Sequence, residues 1–163
     1  SHTNFDVMGM GDEAAERLAL EERSVLEITF EDELSQEGIG RVGILPECMT
    51  LRECASYVKE TFDLDTVKVF GEEDRKVRKA AVVPGAGKDY IRQAVRAGAD
   101  VYITGDIGHH DGIDALEQGL TIIDAGHFGV EQIFVPYMKE FLSRELPSLH
   151  LLSARQQEPF WYE

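Results

Sequence analysis

The segment DAGHFGVE (124–131) combines side chains that can bind a divalent cation. His127 and Glu131 are four residues apart at the predicted start of a helix. Residues at this spacing lie on one face of a helix, one turn apart, so an imidazole nitrogen and a carboxylate oxygen can both reach one cation. Gly126 and Gly129 leave room beside them. Such pairs are also common on solvent-facing helices, so the spacing alone leaves both explanations open.

The segment TGDIGHHD (104–111) begins a dense group of potential metal ligands. Five of them fall within nine residues: Asp106, His109, His110, Asp111 and Asp114. Neutral imidazole and carboxylate suit zinc, iron, manganese or nickel. Alternatively, Asp111 caps the following helix and one histidine faces solvent. The segment therefore predicts either direct metal ligation, or contact with a substrate and orientation of other ligands.

The segment PGAGK (84–88) places two glycines before a lysine. A phosphate-binding P-loop requires G-x-x-x-x-G-K-[ST]. Val82 stands where that motif has its first glycine, and Asp89 stands at its Ser/Thr position, so the motif is absent. Gly85, Gly87 and the amides that open the next helix still suit an anion. A tight turn that requires glycine explains the same residues.

All three segments follow short apolar runs that predict β-strands. The runs AAVV (80–83), VYIT (101–104) and LTIID (120–124) alternate with predicted helices over 89–97, 111–118 and 128–145. Ligand sites in open α/β sheets gather at the carboxyl ends of strands. The three segments are therefore expected to meet at one edge of the sheet.

The remaining elements complete the predicted architecture. VLEITF (25–30) and IGRVGIL (39–45) predict a hairpin, and Thr50 with Glu53 forms a T-x-x-E capping box that starts a helix. The other predictions are a strand over 66–70, a charged turn over 71–78 and a closing strand over 149–152. Together these elements predict one α/β domain over residues 1–163, with a mixed, mostly parallel sheet flanked by helices.

Charge and cysteine content exclude some classes of function. The chain has 16 basic and 31 acidic residues and a net charge of −15. This charge disfavours a general nucleic-acid binder, although it is compatible with cation binding.

Cys48 and Cys54 show neither a CxxC motif nor a secreted spacing pattern, which indicates reduced thiols in a cytoplasmic protein. Cys54 is expected in the core. No apolar run is long enough to span a membrane, so no membrane partner is expected.

Four phrases in one order resemble a known family. They are HTNFD (2–6), YITGDIGHHDGIDA (102–115), IIDAGHFGVE (122–131) and EPFWY (158–162). They are similar to the Nif-three-like dinuclear metal-centre proteins, whose members are called GTP cyclohydrolase type 2 homologues. The resemblance covers nearly the whole chain. It implies a Nif-three-like fold, a homohexameric ring, and two divalent metal ions per subunit at a site that faces the interior of the ring.

The resemblance also assigns metal ligands. The aspartate of the family's H-T-x-x-D segment matches Asp6, and the histidine and glutamate of its G-H-x-x-x-E segment match His127 and Glu131. The family takes two further adjacent histidines from a segment that precedes H-T-x-x-D. His109 and His110 belong to a later segment, so they are not that pair. The resemblance therefore implies the C-terminal portion of a longer protein, with the upstream segment missing.

The leading hypothesis is a metal-dependent hydrolase acting on a phosphoester or a nucleotide. Metal ions lower the pKa of bound water and stabilise a developing oxyanion. His109 or His110 would transfer protons as catalytic residues, because imidazole titrates near neutral pH. Asp106 and Asp124 would orient histidines as hydrogen-bond acceptors. The alternative hypothesis is a metal-binding scaffold or interaction protein without turnover.

Overall fold

The computed structural model describes residues 9–33, 35–155, 157, 160 and 161. The strands are β1 (Glu21–Glu31), β2 (Gln36–Thr50), β3 (Lys68–Phe70), β4 (Lys76–Ala86), β5 (Val101–Gly105) and β6 (Thr121–Asp124). The helices are α1 (Met10–Arg17), α2 (Leu51–Phe62), α3 (Ile91–Arg96), α4 (His109–Glu117), α5 (His127–Glu131) and α6 (Phe134–Glu145). A single 3-10 turn over Lys88–Tyr90 precedes α3.

The six strands form one mixed sheet in the order β1-β2-β4-β5-β6-β3. The predicted α/β class with a mixed sheet is therefore confirmed. Its parallel part is the centre, where β4 pairs with β5 and β5 pairs with β6. The other pairings, β1 with β2, β2 with β4 and β3 with β6, are antiparallel. Parallel pairing is thus limited to the central strands, and the expectation that the sheet is mostly parallel is wrong.

The parallel register brings the ends of these three strands together. Ala86 of β4 pairs with Gly105 of β5, and Thr104 of β5 pairs with Asp124 of β6. Each of these residues is at or next to the end of its strand. The segments that follow therefore leave the sheet side by side, as the alternation of strands and helices predicts.

Apolar side chains on both faces of the central strands bury the sheet. Alternate residues of each strand belong to two separate core clusters: Val82 and Ile103 pack on one face, and Ala81 and Tyr102 pack on the other. The first cluster contains residues of α1, α2 and α5, and the second contains residues of α3 and α4. Burial on both faces explains why these strands are continuous apolar runs rather than alternating ones.

Helix α2 begins where the sequence predicts. The backbone N–H of Glu53 donates to Thr50 Oγ1 at 3.2 Å, and the N–H of Thr50 donates to Glu53 Oε2 at 2.7 Å. The capping box is therefore complete. The apolar face of the helix is buried and includes Cys54, as predicted. Burial raises the pKa of the Cys54 thiol to about 12.

Helix 128–145 is predicted as one element, and this prediction is wrong. The chain forms two helices, α5 and α6, which are separated by Gln132 and Ile133. Pro136 lies in the first turn of α6, where a missing backbone N–H is tolerated, but it has no N–H to donate to Gln132 in a continuous helix. Glu131 is consequently the last residue of a short helix that starts at His127.

Other predicted elements also differ from the structure. The charged segment 71–78 is not entirely a turn, because β4 already begins at Lys76. Helix α4 begins at His109 rather than at residue 111. Residues 149–152 form no strand, although they are described. In the part of the chain that the structure describes, every helix is too short or too polar to cross a lipid bilayer.

Candidate metal centre

His127 and Glu131 face each other across one turn of α5. His127 Nε2 lies 3.2 Å from Glu131 Oε2, and the Glu131 side chain is only 16% exposed, against 49% for His127. The predicted proximity of the two side chains is confirmed. A nitrogen and an oxygen at this distance are placed to bind one cation together, or to share a proton in its absence.

Asp106 holds the opposite nitrogen of the same ring. Asp106 Oδ2 accepts a hydrogen bond from His127 Nδ1 at 2.9 Å. A carboxylate only accepts, so this bond keeps the proton on Nδ1 and leaves Nε2 as the nitrogen that faces Glu131. A histidine that binds a metal commonly donates its other ring N–H to a carboxylate in this way. The predicted role of Asp106 as an acceptor for a histidine is therefore confirmed.

The backbone of Asp106 adopts an unusual conformation. Its φ is +59°, in the left-handed region that most side chains avoid. Aspartate tolerates this region better than most residues, because its short carboxylate can bond locally. The residue leaves β5 at this point, and the turn directs its carboxylate toward α5.

Asp124 has a different role from the one predicted. Its carboxylate accepts from the backbone N–H of Ile107 and of Gly126, both at 3.0 Å, and pairs with Lys68 Nζ at 2.8 Å. Asp124 is 6% exposed, so these three donors satisfy a buried charge. The prediction that Asp124 orients a histidine side chain directly is wrong, because its oxygens bind the backbone of the two neighbouring loops.

Gly85 leaves the space that the side chains of His127 and Glu131 need. A Cβ atom built on Gly85 would lie 2.6 Å from Glu131 Oε1 and 3.6 Å from His127 Nε2. The φ of Gly85 is +80°, which also favours glycine. The sequence predicts a tight turn at Gly85, but in the structure Gly85 lies within β4, at an irregularity of its pairing with β5 and beside the histidine and glutamate. The one sequence signal for this proximity is a glycine at the end of an apolar strand that precedes a candidate site.

Two buried side chains of β5 fix the irregular end of β4, which contains Gly85. Tyr102 Oη donates to the carbonyl of Gly87 at 2.8 Å, and Thr104 Oγ1 donates to the carbonyl of Gly85 at 3.2 Å. Both side chains are fully buried. This end of β4 therefore has little freedom to move away from Glu131, and the space beside the carboxylate is a fixed feature of the sheet edge.

The pKa of His127 reflects its two acidic neighbours. Burial by itself lowers the pKa, but the hydrogen bond with Asp106 and the charges of Glu131 and Asp106 outweigh burial and raise the pKa above the ordinary 6.5. A raised pKa means that the folded chain binds this proton more tightly than the unfolded chain. In the metal-free chain this contribution to stability is present at low pH and is lost as the pH rises through the pKa of the folded state.

His109 and His110 lie at the exposed start of α4. Their ring centroids are 5.5 Å apart in an edge-on arrangement. Within residues 9–33 and 35–155, no three His, Cys, Asp or Glu side chains are grouped in a way that could hold a metal ion. Asp6, the third expected ligand, lies outside the described residues. The arrangement that fits a cation is therefore the oriented pair formed by His127 and Glu131.

Comparison with known proteins identifies the relatives of this chain. The family model of Duf34/NIF3 (NGG1p interacting factor 3) matches residues 1–159. The chain belongs to the Duf34/NIF3 family. The resemblance carried by the four sequence phrases is thereby confirmed.

Curated relatives in the NIF3 family share a name and substantial sequence identity. A GTP cyclohydrolase 1 type 2 homolog of Bacillus subtilis is 44% identical over 115 residues, which are 71% of this chain and 30% of that protein. The homolog of the same name from Clostridium acetobutylicum is 36% identical over 170 aligned residues, which cover all of this chain and 63% of that protein. The chain thus spans less than two thirds of the length of either relative.

Solved structures confirm the NIF3 fold. A Bacillus cereus protein related to NIF3 superposes with a TM-score of 0.83 at 23% identity, over 96% of this chain and 70% of that chain. Reduced HcgD from Methanocaldococcus jannaschii superposes with a TM-score of 0.69 at 34% identity, over 88% of this chain and 55% of that chain. The mixed sheet and the two layers of helices described above are therefore those of NIF3 proteins.

Proposed function

We propose that this chain carries part of the divalent metal centre of a hydrolase that acts on a phosphoester or a nucleotide. The supporting observation is the orientation of His127. Asp106 holds Nδ1 at 2.9 Å, and Nε2 lies 3.2 Å from Glu131 Oε2. An oriented imidazole beside a carboxylate fits the donor set of zinc, iron, manganese or nickel.

His127 and Glu131 would supply two ligands of this centre, and Asp6 would supply a third. Two adjacent histidines, which the family takes from another segment, would add to them, and the centre would hold two metal ions. Glu131 is mostly buried and His127 is half exposed, so the pair can be reached from solvent on one side. A catalytic centre needs such an open side for substrate.

The surrounding residues have separate roles in the proposed reaction. A divalent cation, when bound, makes water more acidic and stabilises negative charge on the reacting group. Asp106 keeps the proton of His127 on Nδ1, so that Nε2 stays available as a ligand. His109 and His110, exposed at the start of α4, would carry protons between solvent and the reacting group.

The proposed substrate class rests on the names of the relatives. The curated relatives are called GTP cyclohydrolase 1 type 2 homologs, which favours a purine nucleotide. The net charge of −15 favours substrates that arrive with bound cations over free polyanions. A homohexamer is part of the same proposal.

Metal content and turnover test this proposal together. His127→Ala and Glu131→Ala should each remove most of the bound metal that elemental analysis detects in the purified chain. His150→Ala is the matched control, because His150 is an exposed histidine after α6. Both site variants should retain the wild-type circular dichroism spectrum, since neither side chain belongs to the core clusters. Unchanged metal content in both site variants would disprove the ligand assignment.

Turnover separates the hydrolase from the scaffold. Nucleoside triphosphates and simple phosphoesters should be hydrolysed by the metal-loaded protein, and a chelator should abolish the activity. Stoichiometric metal without turnover on this panel would support a metal-binding scaffold instead.

A further inference from the structure

One carboxylate connects the two loops that carry Asp106 and His127. Asp124 Oδ2 accepts from the N–H of Ile107, which directly follows Asp106. Asp124 Oδ1 accepts from the N–H of Gly126, which directly precedes His127. Each bond is 3.0 Å long. The positions of the acceptor and the donor in the Asp106–His127 hydrogen bond therefore both depend on Asp124.

Lys68 completes this connection from the edge strand β3. Its Nζ donates to the carbonyl of Ile107 at 2.7 Å and pairs with Asp124 Oδ2 at 2.8 Å. The same Nζ lies 5.5 Å from the centre of the Phe70 ring. Ile107 is thus held at both backbone polar groups, by Asp124 at its N–H and by Lys68 at its carbonyl, and its side chain is 2% exposed.

The left-handed backbone of Asp106 explains why such a restraint is needed. A non-glycine residue at φ +59° is less stable than an extended one, so the loop returns to a relaxed conformation unless its neighbours prevent this. Asp106 itself is half exposed, at 56%, and has little packing to hold it. The restraint therefore acts on the next residue, Ile107.

We infer that Lys68 is a positioning residue, which, through Ile107 and Asp124, keeps the Asp106 carboxylate on Nδ1 of His127. Its relevance to metal binding rests on the proposed function. A simpler role for Lys68 would be to neutralise the buried charge of Asp124. That role changes the stability of the fold, but it does not require the Asp106–His127 hydrogen bond to depend on Lys68.

The test compares Lys68→Met with Lys79→Met. Methionine keeps most of the length of the side chain and removes the ammonium group. Lys79 is a matched control because its Nζ also donates to a backbone carbonyl, that of Ala97 at 2.6 Å. Lys68→Arg is the conservative variant, since a guanidinium also carries charge and several donors. Asp124→Asn breaks the same connection from the other side with nearly the same volume.

The first readout is the His127 Nδ1–H resonance in nitrogen-15 NMR of the metal-free chain, assigned by its loss in His127→Ala. A ring proton held by a carboxylate exchanges with solvent more slowly than one that faces water. The signal should be present in the wild type, Lys79→Met and Lys68→Arg, and should be lost in Lys68→Met and Asp124→Asn. A folded Lys68→Met or Asp124→Asn protein that keeps the wild-type signal would overturn the inference. A wild-type chain without the signal would do the same.

The second readout is the dissociation constant for zinc, measured by competition with a chromogenic chelator. Lys68→Met should weaken zinc binding about 10- to 100-fold, as is usual when the support of a ligand is removed, and Lys79→Met should not. If the wild type binds no zinc but its Nδ1–H signal depends on Lys68, the proposed function fails and the positioning role stands. If zinc affinity and the signal are both unchanged in Lys68→Met, the positioning role fails and the metal centre stands.

Discussion

At the scale of single residues, the site depends on one hydrogen-bonded line. It runs from Asp106 Oδ2 to Nδ1 of His127, at 2.9 Å, and from Nε2 of the same ring to Glu131 Oε2, at 3.2 Å. The pair on α5 is predictable because helical geometry relates residues four apart. The contact with Asp106 spans 21 residues and depends on the parallel pairing of β5 with β6, so local spacing cannot show that Asp106, rather than Asp124, meets the ring.

Gly85 gives a prediction at the same scale. Gly85→Ala places a methyl group 2.6 Å from Glu131 Oε1, and the carboxylate must move because it is the flexible end of its side chain. The substitution also forces alanine into a left-handed conformation, at a cost of about 1–2 kcal/mol. We expect a modest loss of stability in urea unfolding and a loss of bound metal in elemental analysis.

Gly98→Ala is the control for Gly85→Ala. Gly98 has a similar φ of +69°, but nothing lies within 4 Å of a Cβ built there. Gly98→Ala should therefore lose a similar amount of stability and keep its metal. If the two variants bind equal amounts of metal, the space beside Gly85 is not needed for binding.

At the scale of elements, predictions that rest on local signals are more successful than those that need tertiary context. The capping box of α2 and the β1–β2 hairpin are both confirmed. The division of 128–145 into α5 and α6 is missed, although Pro136 is a signal for it in the sequence. The early start of β4 at Lys76 is also missed, because antiparallel pairing with Thr50 of β2 extends the strand into a charged segment.

Thr50→Ala measures the contribution of the capping box. The variant loses the acceptor for the Glu53 N–H, and its methyl side chain offers no replacement. We expect the free energy of unfolding to fall by about 1 kcal/mol in urea titrations. Thr66→Ala, at an exposed position outside any helix or strand, should change stability much less. Equal losses in the two variants would show that the cap contributes nothing specific.

At the scale of the whole molecule, the sheet explains why the site lies where it does. The parallel centre of the sheet places three loops at one edge, and the core clusters on both faces keep the strands that support these loops rigid. Alternating strands and helices predict this arrangement from sequence. The strand order is not predictable in the same way, because β3 precedes β4 in the chain yet pairs antiparallel with β6 at the far edge. That placement is also what brings Lys68 to Asp124.

Metal binding at this edge should stabilise the whole fold. A ligand that binds only the folded chain raises its free energy of unfolding by about 2.7 kcal/mol at a free concentration 100 times the dissociation constant. We expect the midpoint of thermal unfolding to rise when zinc or manganese is added to the metal-free chain and to return when a chelator is added.

Glu131→Ala should show little of this shift, because one of the two oriented ligands is gone. Glu140→Ala, at an exposed position on α6, should show the full shift. A shift of the same size in Glu131→Ala and the wild type would mean that the metal stabilises the chain from another part of its acidic surface.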